Sequence, residues 1–493
     1  MKEKLKVLFV TSEARSFAAS GGLGDISDSL PKALNQEGID CRIVMPLYDV
    51  IKEELRKKMK LIATFTVSVG WRHKECRVFE LENKGVVYYF LCNAEYFERG
   101  HENIGKYYDD SQCGEMYAFF SRAAAEMPKH IGVKFDVVNA NDWQTALVPL
   151  YLSTFYSQEK VKCVFTIHNI AFQGKFSFEI FDVLGLPPQE VGGILEYEGG
   201  VNLMKGAIEC SHAVVVVSPK YREEVMGNHS DLFDFGCGLT PIMKKNHWKL
   251  HGILNGADMD EINPLADPLI YKNYDSKTFV DGKKQNKAQL QKDLGLEQNV
   301  DLPMIGIVTR IDSMQKGCEL VLEVLQKGLL ESQERHNLQF VILGTAASGD
   351  NDGLQMESVF RGWENHYRGR VCSYIAYDKA VAQRIYAAAD MFLMPSKFEP
   401  CGLGQIYALR YGTVPLVREV GGLYNTVKDS ENGFTFQHYS SDEIIHVVNR
   451  ALEKWRDIKN WRSLVRHSMK CDFGWNKKNG SAQEYINLYT SLL

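Results

Sequence analysis

Over the first 220 or so residues, short runs of consecutive apolar residues recur, separated by stretches with helical spacing. They are KVLFVTS (6–12), CRIVMP (41–46), DVVNAN (136–141), CVFTIHN (163–169) and AVVVVS (213–218). Runs without polar alternation predict strands buried on both faces, and therefore parallel sheet covered by helices. The pattern restarts near residue 300 with MIGIVTR, LQFVILG, VCSYIA, MFLMPS and VPLVRE. Two such series predict an α/β fold of two Rossmann-like, doubly wound parallel-sheet domains. Residues 252–284 carry Asn, Gly, Asp and Pro at turn density and read as a linker, which puts the domain boundary at 253. The expected domains are 1–253 and 254–474. Residues 475–493 follow, where Ala482, Tyr485, Ile486 and Tyr489 predict one apolar helix face that must pack on something. The charged run KEELRKKMK (52–60) reads as a solvated helix face.

A chain of 493 residues exceeds one compact core, in keeping with two domains. Lys and Arg number 57 against 62 Asp and Glu, a net charge of -5, which argues against nucleic acid or an anionic membrane as partner. A neutral or small anionic ligand fits better. Eleven scattered cysteines, never spaced C-x-x-C, suggest neither a disulfide framework nor a zinc site, and a cytoplasmic setting is expected. The apolar run Val7–Val10 is too short for a signal-peptide core, and no later run has the length of a membrane span.

Chemistry concentrates at predicted strand ends. The tripeptide GGL occurs as Gly21-Gly22-Leu23 and as Gly421-Gly422-Leu423, each after a buried-strand pattern and before a helical one. Glycine permits close backbone approach, so amides at a helix start can face an anion. Two copies suggest a cleft that closes on a diphosphate from both sides, although no basic residue stands beside the first. In that copy Ile26, Leu30, Ala33 and Leu34 define a helix face, and Pro31 predicts a bend or a late start.

In "MPSKFEPCGLGQIYALRYGTVPLVREVGGL" (394–423) a strand ends at Pro395 and Glu399 follows in a loop. Cys401, Gly402 and Leu403 then open a helix. Glu399 is suited to sugar hydroxyls, and equally to a helix N-terminus. Arg310 and Lys316, in "IGIVTRIDSMQKG", lie at another strand's carboxyl end, where paired cations can neutralise a diphosphate leaving group. His168 follows the strand CVFTI and reads either as a site residue or as a capping histidine. Asp142, Trp143 and Gln144 form a polar and aromatic mix suited to a sugar or to a helix cap. Asp258-x-Asp260 has the spacing of metal-dependent sugar transferases but sits in the Asn/Gly-rich linker; no metal and no cofactor are predicted.

These motifs resemble the bacterial glycogen synthase and plant starch synthase family. Its members are retaining transferases of the GT-B fold that use a nucleotide-activated glucose, usually ADP-glucose. The likeness runs nearly end to end through "NDWQTALVP", "TIHNIAFQG", "VNLMKGAIECSHAVVVVSPKYREEV", "GCGL", "GILNGAD", "NKAQLQKDLGL" and "FEPCGLGQIYALRYGTVPLV". It implies two Rossmann-like domains facing across a cleft, with a final helix that packs back on the N-terminal domain. It further implies that Gly21, Gly22 and Asp25 line the donor site and that His168 lies beside the transferred glucose. Arg310 and Lys316 would hold the diphosphate, Glu399 the glucosyl ring, and Cys401, Gly402, Leu403, Gly421 and Gly422 the donor. An α-1,4-glucan would be the acceptor, and Asp142, Trp143 and Gln144 its candidate contacts. The segment YYDDSQCGEMYAFF (107–120) is an altered form of a family motif, and three single positions also depart from the family pattern. Ala19 stands where the first loop's donor-contacting lysine is usual, Val420 where Thr precedes the second GGL, and Asn425 where Asp follows it. A lost charge-assisted contact costs ~1.5–3 kcal/mol unless replaced, so an impaired, glucan-binding copy or one using another nucleotide sugar is the alternative expectation.

Overall fold

The computed structural model describes residues 4–229, 231–331, 338–347, 349–477 and 480–493, with the backbone alone for 188–191. The chain divides into two compact units, one running to Ala257 and joined by Gly474–Leu493, the other Asp258–Phe473.

The first unit is built on a nine-stranded sheet. Its strands are β1 (Lys6–Val10), β2 (Asp40–Pro46), β3 (Lys60–Val69), β4 (Arg72–Asn83), β5 (Val86–Cys92), β6 (Val137–Asn141), β7 (Lys162–Ile167), β8 (Ala213–Val216) and β9 (Leu250–Gly252). They lie in the order β9-β8-β7-β6-β1-β2-β5-β4-β3. The run from β9 to β5 is parallel, while β4 pairs antiparallel with both β5 and β3. The apolar runs are the central strands: β1, β6 and β8 are buried along nearly their whole length, as two-faced burial requires.

The edge hairpin β3–β4 escapes a search for continuous runs because it alternates. In β3 Phe65, Val67 and Val69 are buried, and Thr64, Thr66 and Ser68 are not. The charged run at 52–60 forms only the short helix Glu53–Arg56 before β3 begins at Lys60, so it is not one helix face. Helix α1 (Gly22–Gln36) starts directly after Gly21 and continues through Pro31, so the expected late start does not occur.

Helix α2 (Cys113–Ile131) buries Tyr117, Phe119 and Phe120 in this unit's core. At the chain's end, Trp475 donates from Nε1 to Ser29 Oγ of α1 at 3.0 Å.

The second unit has a six-stranded, wholly parallel sheet. Its strands are β10 (Met304–Val308), β11 (Gln339–Gly344), β12 (Val371–Ile375), β13 (Met391–Met394), β14 (Val414–Arg418) and β15 (Phe434–Phe436), ordered β12-β11-β10-β13-β14-β15. Helix α3 (Phe279–Asp293) begins inside the stretch read as linker, and Phe279, Gly282 and Lys283 are buried. Leu290 of α3 joins Met304, Val341, Leu343 and Ile385 in the core beneath the sheet. Lys283 donates to Thr413 Oγ1 at 2.7 Å and to the carbonyls of Ala387 and Tyr411 at 3.2 Å. Burial pushes its ammonium down to about 7. Three further helices follow the site loops: α4 (Cys318–Gln326), α5 (Gly404–Arg410) and α6 (Gly421–Thr426). The chain ends in α7 (Ser481–Leu492), which belongs to the first unit, packs on α1 and buries Ala482, Tyr485, Leu488 and Tyr489. Leu488 takes the core place expected of Ile486, which is half-buried.

Candidate active site

In the first unit, three loops leave the carboxyl ends of β1, β6 and β7. Ahead of the first GGL lies Glu13, buried and positioned directly after β1. Its carboxylate accepts from Ser20 N–H at 2.9 Å, from Gly21 N–H at 3.2 Å and from Tyr108 O–H at 2.7 Å. One amide expected to face a ligand anion, that of Gly21, is thus already occupied. The loop's cation is Arg15, which grips Asp25 with two donors at 2.8 and 2.7 Å and donates to Gly21 O at 2.9 Å. Arg15 is the one basic residue between Lys6 and Lys32. Glycine is demanded here at Gly24, where an added Cβ would lie 2.3 Å from Ala19 Cβ. At Gly21 an added Cβ meets nothing within 4 Å, and Gly22 is exposed. The loop is therefore open on the side of Gly21 and Gly22.

The β6 and β7 loops are tied together. Asp142 Oδ1 accepts from His168 N–H at 2.7 Å, and burial pushes its carboxyl up to about 7. His168 Nε2 lies 2.9 Å from Asn141 Oδ1, and loss of water around the ring holds its pKa down at about 3. The ring is therefore neutral at ordinary pH. Trp143 is buried, with ring centroids 5.3 Å from Tyr117 and 6.0 Å from Phe176, and so shapes the loop from beneath. Gln144 is also buried, and its Oε1 has no hydrogen-bond partner among the described residues.

In the second unit the loops after β10 and β13 bring Lys316 and Glu399 together, and Arg310 lies earlier in the loop that carries Lys316. Lys316 Nζ donates to Glu399 Oε2 at 2.8 Å, and Ser396 Oγ lies 3.0 Å from the same oxygen. Gly317 makes the loop possible: its φ is +70, and a Cβ there would meet Pro395 O at 2.3 Å. Asp312 Oδ1 accepts from the amides of Gln315 and Lys316 at 2.7 and 3.0 Å, holding that turn closed. Arg310 Nη2 donates to Gln315 Oε1 at 3.0 Å, and the side chain stays half exposed at 52%. Cys401 is buried, Gly402 adopts φ +74, and Leu403 precedes α5. The second GGL packs against this loop: Gly422 N–H donates to Glu399 O at 3.1 Å. A Cβ on Gly421 would lie 1.8 Å from Glu399 O, and one on Gly422 2.1 Å from Cys401 O. Val420 is buried at the start of α6, where it accepts from Leu423 N–H through its carbonyl.

Asp258 caps a turn by accepting from Asp260 N–H at 3.1 Å, which accounts for the D-x-D spacing structurally. Among the described residues no group of three His, Cys, Asp or Glu side chains could hold a metal ion.

The chain is similar to sugar transferases along nearly its whole length. Residues 6–245 match the starch synthase catalytic domain, and residues 289–467 match the group 1 glycosyl transferases. The catalytic domain of Arabidopsis thaliana starch synthase IV, solved with ADP and acarbose, superposes with a TM-score of 0.88 at 30% identity over 99% of both chains. A sucrose-phosphate synthase from Thermosynechococcus elongatus shares the fold at a TM-score of 0.62 and 16% identity, covering 99% of each chain. The glycogen synthase of Clostridium perfringens is 42% identical over 99% of this chain and 98% of its own, and that of Clostridium botulinum is 42% identical over 99% of both. Two α/β units with polar loops at their strand ends, together with these matches, make the chain a glycosyltransferase of the GT-B class. Within that class, the chain belongs to the glycogen and starch synthase family.

Proposed function

We propose that this protein transfers glucose from ADP-glucose to the non-reducing 4-hydroxyl of an α-1,4-glucan, with retention of configuration. The observation that carries the reading is the pair of Lys316 and Glu399, joined at 2.8 Å, with Arg310 in the same loop as Lys316. Arg310 and Lys316 hold the diphosphate and stabilise the charge that develops as the bond from the anomeric carbon to the phosphate oxygen breaks. The attacking 4-hydroxyl approaches on the same face and passes its proton to the departing phosphate oxygen, so no carboxylate nucleophile is required. Glu399, with one oxygen held by Lys316 and Ser396, offers the other to hydroxyls of the glucosyl ring. The amides of Gly402 and Leu403, with Cys401, Val420, Gly421 and Gly422 shaping the loop, receive the donor. In the first unit, Gly21, Gly22 and Asp25 form the donor loop, with Arg15 supplying the cation that Ala19 lacks. His168 lies beside the transferred glucose. Asp142 and Trp143 hold the loops around the acceptor, and Gln144 Oε1 is a buried acceptor available to a sugar hydroxyl.

A cytoplasmic location is part of this reading. Its eleven cysteines are all free thiols, and among the described residues no helix is long and apolar enough to cross a membrane. The test is to incubate the purified protein with labelled ADP-glucose and glycogen, with EDTA present, and to digest the product with β-amylase. Label released as maltose is the expected result. Label that enters no glucan would overturn the reading, and label from UDP-glucose alone would replace its donor.

A further inference from the structure

Asn141, the last residue of β6, is fully buried. Its side-chain nitrogen donates to Val10 O at 3.0 Å and to Asn139 O at 3.1 Å. Backbone carbonyls only accept, so the amide cannot turn over, and Oδ1 must face the other way. That oxygen lies 2.9 Å from His168 Nε2. An amide oxygen also only accepts, so the hydrogen of the neutral ring sits on Nε2, and Nδ1 keeps a lone pair. Among the described residues Nδ1 makes no hydrogen bond. The anchors of Asn141 are rigid: Asn139 donates from Nδ2 to Tyr489 Oη at 2.7 Å and accepts from Thr166 Oγ1 at 2.9 Å. The ring's own backbone is held by Asp142 at 2.7 Å. Neither the Asn141 amide nor the His168 ring can reverse without leaving a buried donor or acceptor unmatched.

We propose that Asn141 is a positioning residue that holds His168 as its Nε2–H tautomer, so that Nδ1 accepts a hydrogen bond from a hydroxyl of the transferred sugar. The sugar contact rests on the transferase reading above; the tautomer does not. A ring with its hydrogen on Nδ1 would present a donor to the sugar instead. Asn141 thus decides whether the ring meets a hydroxyl as acceptor or as donor.

The test begins with the wild-type protein labelled with ¹⁵N-histidine, the His168 signals being assigned by their absence in His168→Gln. Protonated Nε2 and unprotonated Nδ1, unchanged from about pH 8 to about pH 5, are expected. A hydrogen on Nδ1, or an imidazolium at neutral pH, would overturn the proposal whether or not the protein transfers glucose. The second arm is Asn141→Leu, which removes the acceptor facing Nε2. Mixed tautomers are expected, with kcat/KM for glucose transfer lowered roughly tenfold or more while ADP binding measured by calorimetry is kept. A variant that keeps both the wild-type tautomer and the wild-type rate would show that Asn141 does not position the ring.

Discussion

Lys316 and Glu399 place opposite charges 2.8 Å apart, with side-chain exposures of only 18% and 6%. Removing one partner leaves the other charge with little water, so Lys316→Ala should cost about 3–5 kcal/mol in urea unfolding. The double variant Lys316→Met with Glu399→Gln should cost clearly less than the sum of the two single changes. His168 gives a pH signature. Its folded pKa of about 3 lies below that of the unfolded chain, which therefore binds more protons between about pH 6.5 and about 3. Stability must fall as pH falls through that window, by up to about 1.4 kcal/mol per unit from this group. His168→Gln should flatten that limb in a series of unfolding curves. At this scale the sequence named the cations and the carboxylate correctly as neighbours of strand ends, but not their pairing. Arg15 was not legible as a site residue. Its grip on Asp25 depends on how α1 turns back over the loop, which no local pattern reports.

The two GGL segments are alike in sequence and unlike in physical demand. Gly422 lets the 421–422 turn press against the backbone of Cys401, whose O and Cα would lie 2.1 and 2.4 Å from an added Cβ. Gly422→Ala should therefore displace both loops and cost about 1–3 kcal/mol. Gly21 has an extended φ of -153 and open space around it. Gly21→Ala should melt with the wild type, and any loss should appear in donor KM, read from initial rates. The repeat pointed to loops at strand ends. It could not say which glycine serves packing and which leaves room, because that depends on what approaches each turn. The hairpin β3–β4 illustrates the same limit in reverse: its alternation is plain once a half-buried sheet edge is considered, and is invisible to a search for runs buried on both faces.

At the scale of the whole molecule, the last twenty residues are part of the first unit although the second unit precedes them. Tyr489 is fully buried in that unit and meets Asn139 on β6, two residues before Asn141. Tyr489→Phe should cost about 1–2 kcal/mol in urea unfolding by leaving the Asn139 amide unmatched. The apolar spacing of the last helix was legible and the resemblance implied the first domain as its partner; the element it packs on was not legible, because α1 lies more than 440 residues away in the chain. The fold class was legible because parallel sheets leave continuous apolar runs, and family membership because many motifs keep their order from end to end. The most direct measurement is the initial rate of glucose transfer to glycogen by the purified wild-type chain, with ADP-glucose and UDP-glucose in parallel and EDTA present. Rapid transfer from ADP-glucose is the predicted result, with Arg310, Lys316 and the loop amides sufficient although position 19 is alanine. Absence of transfer from ADP-glucose, in a protein that still binds glycogen, would contradict it.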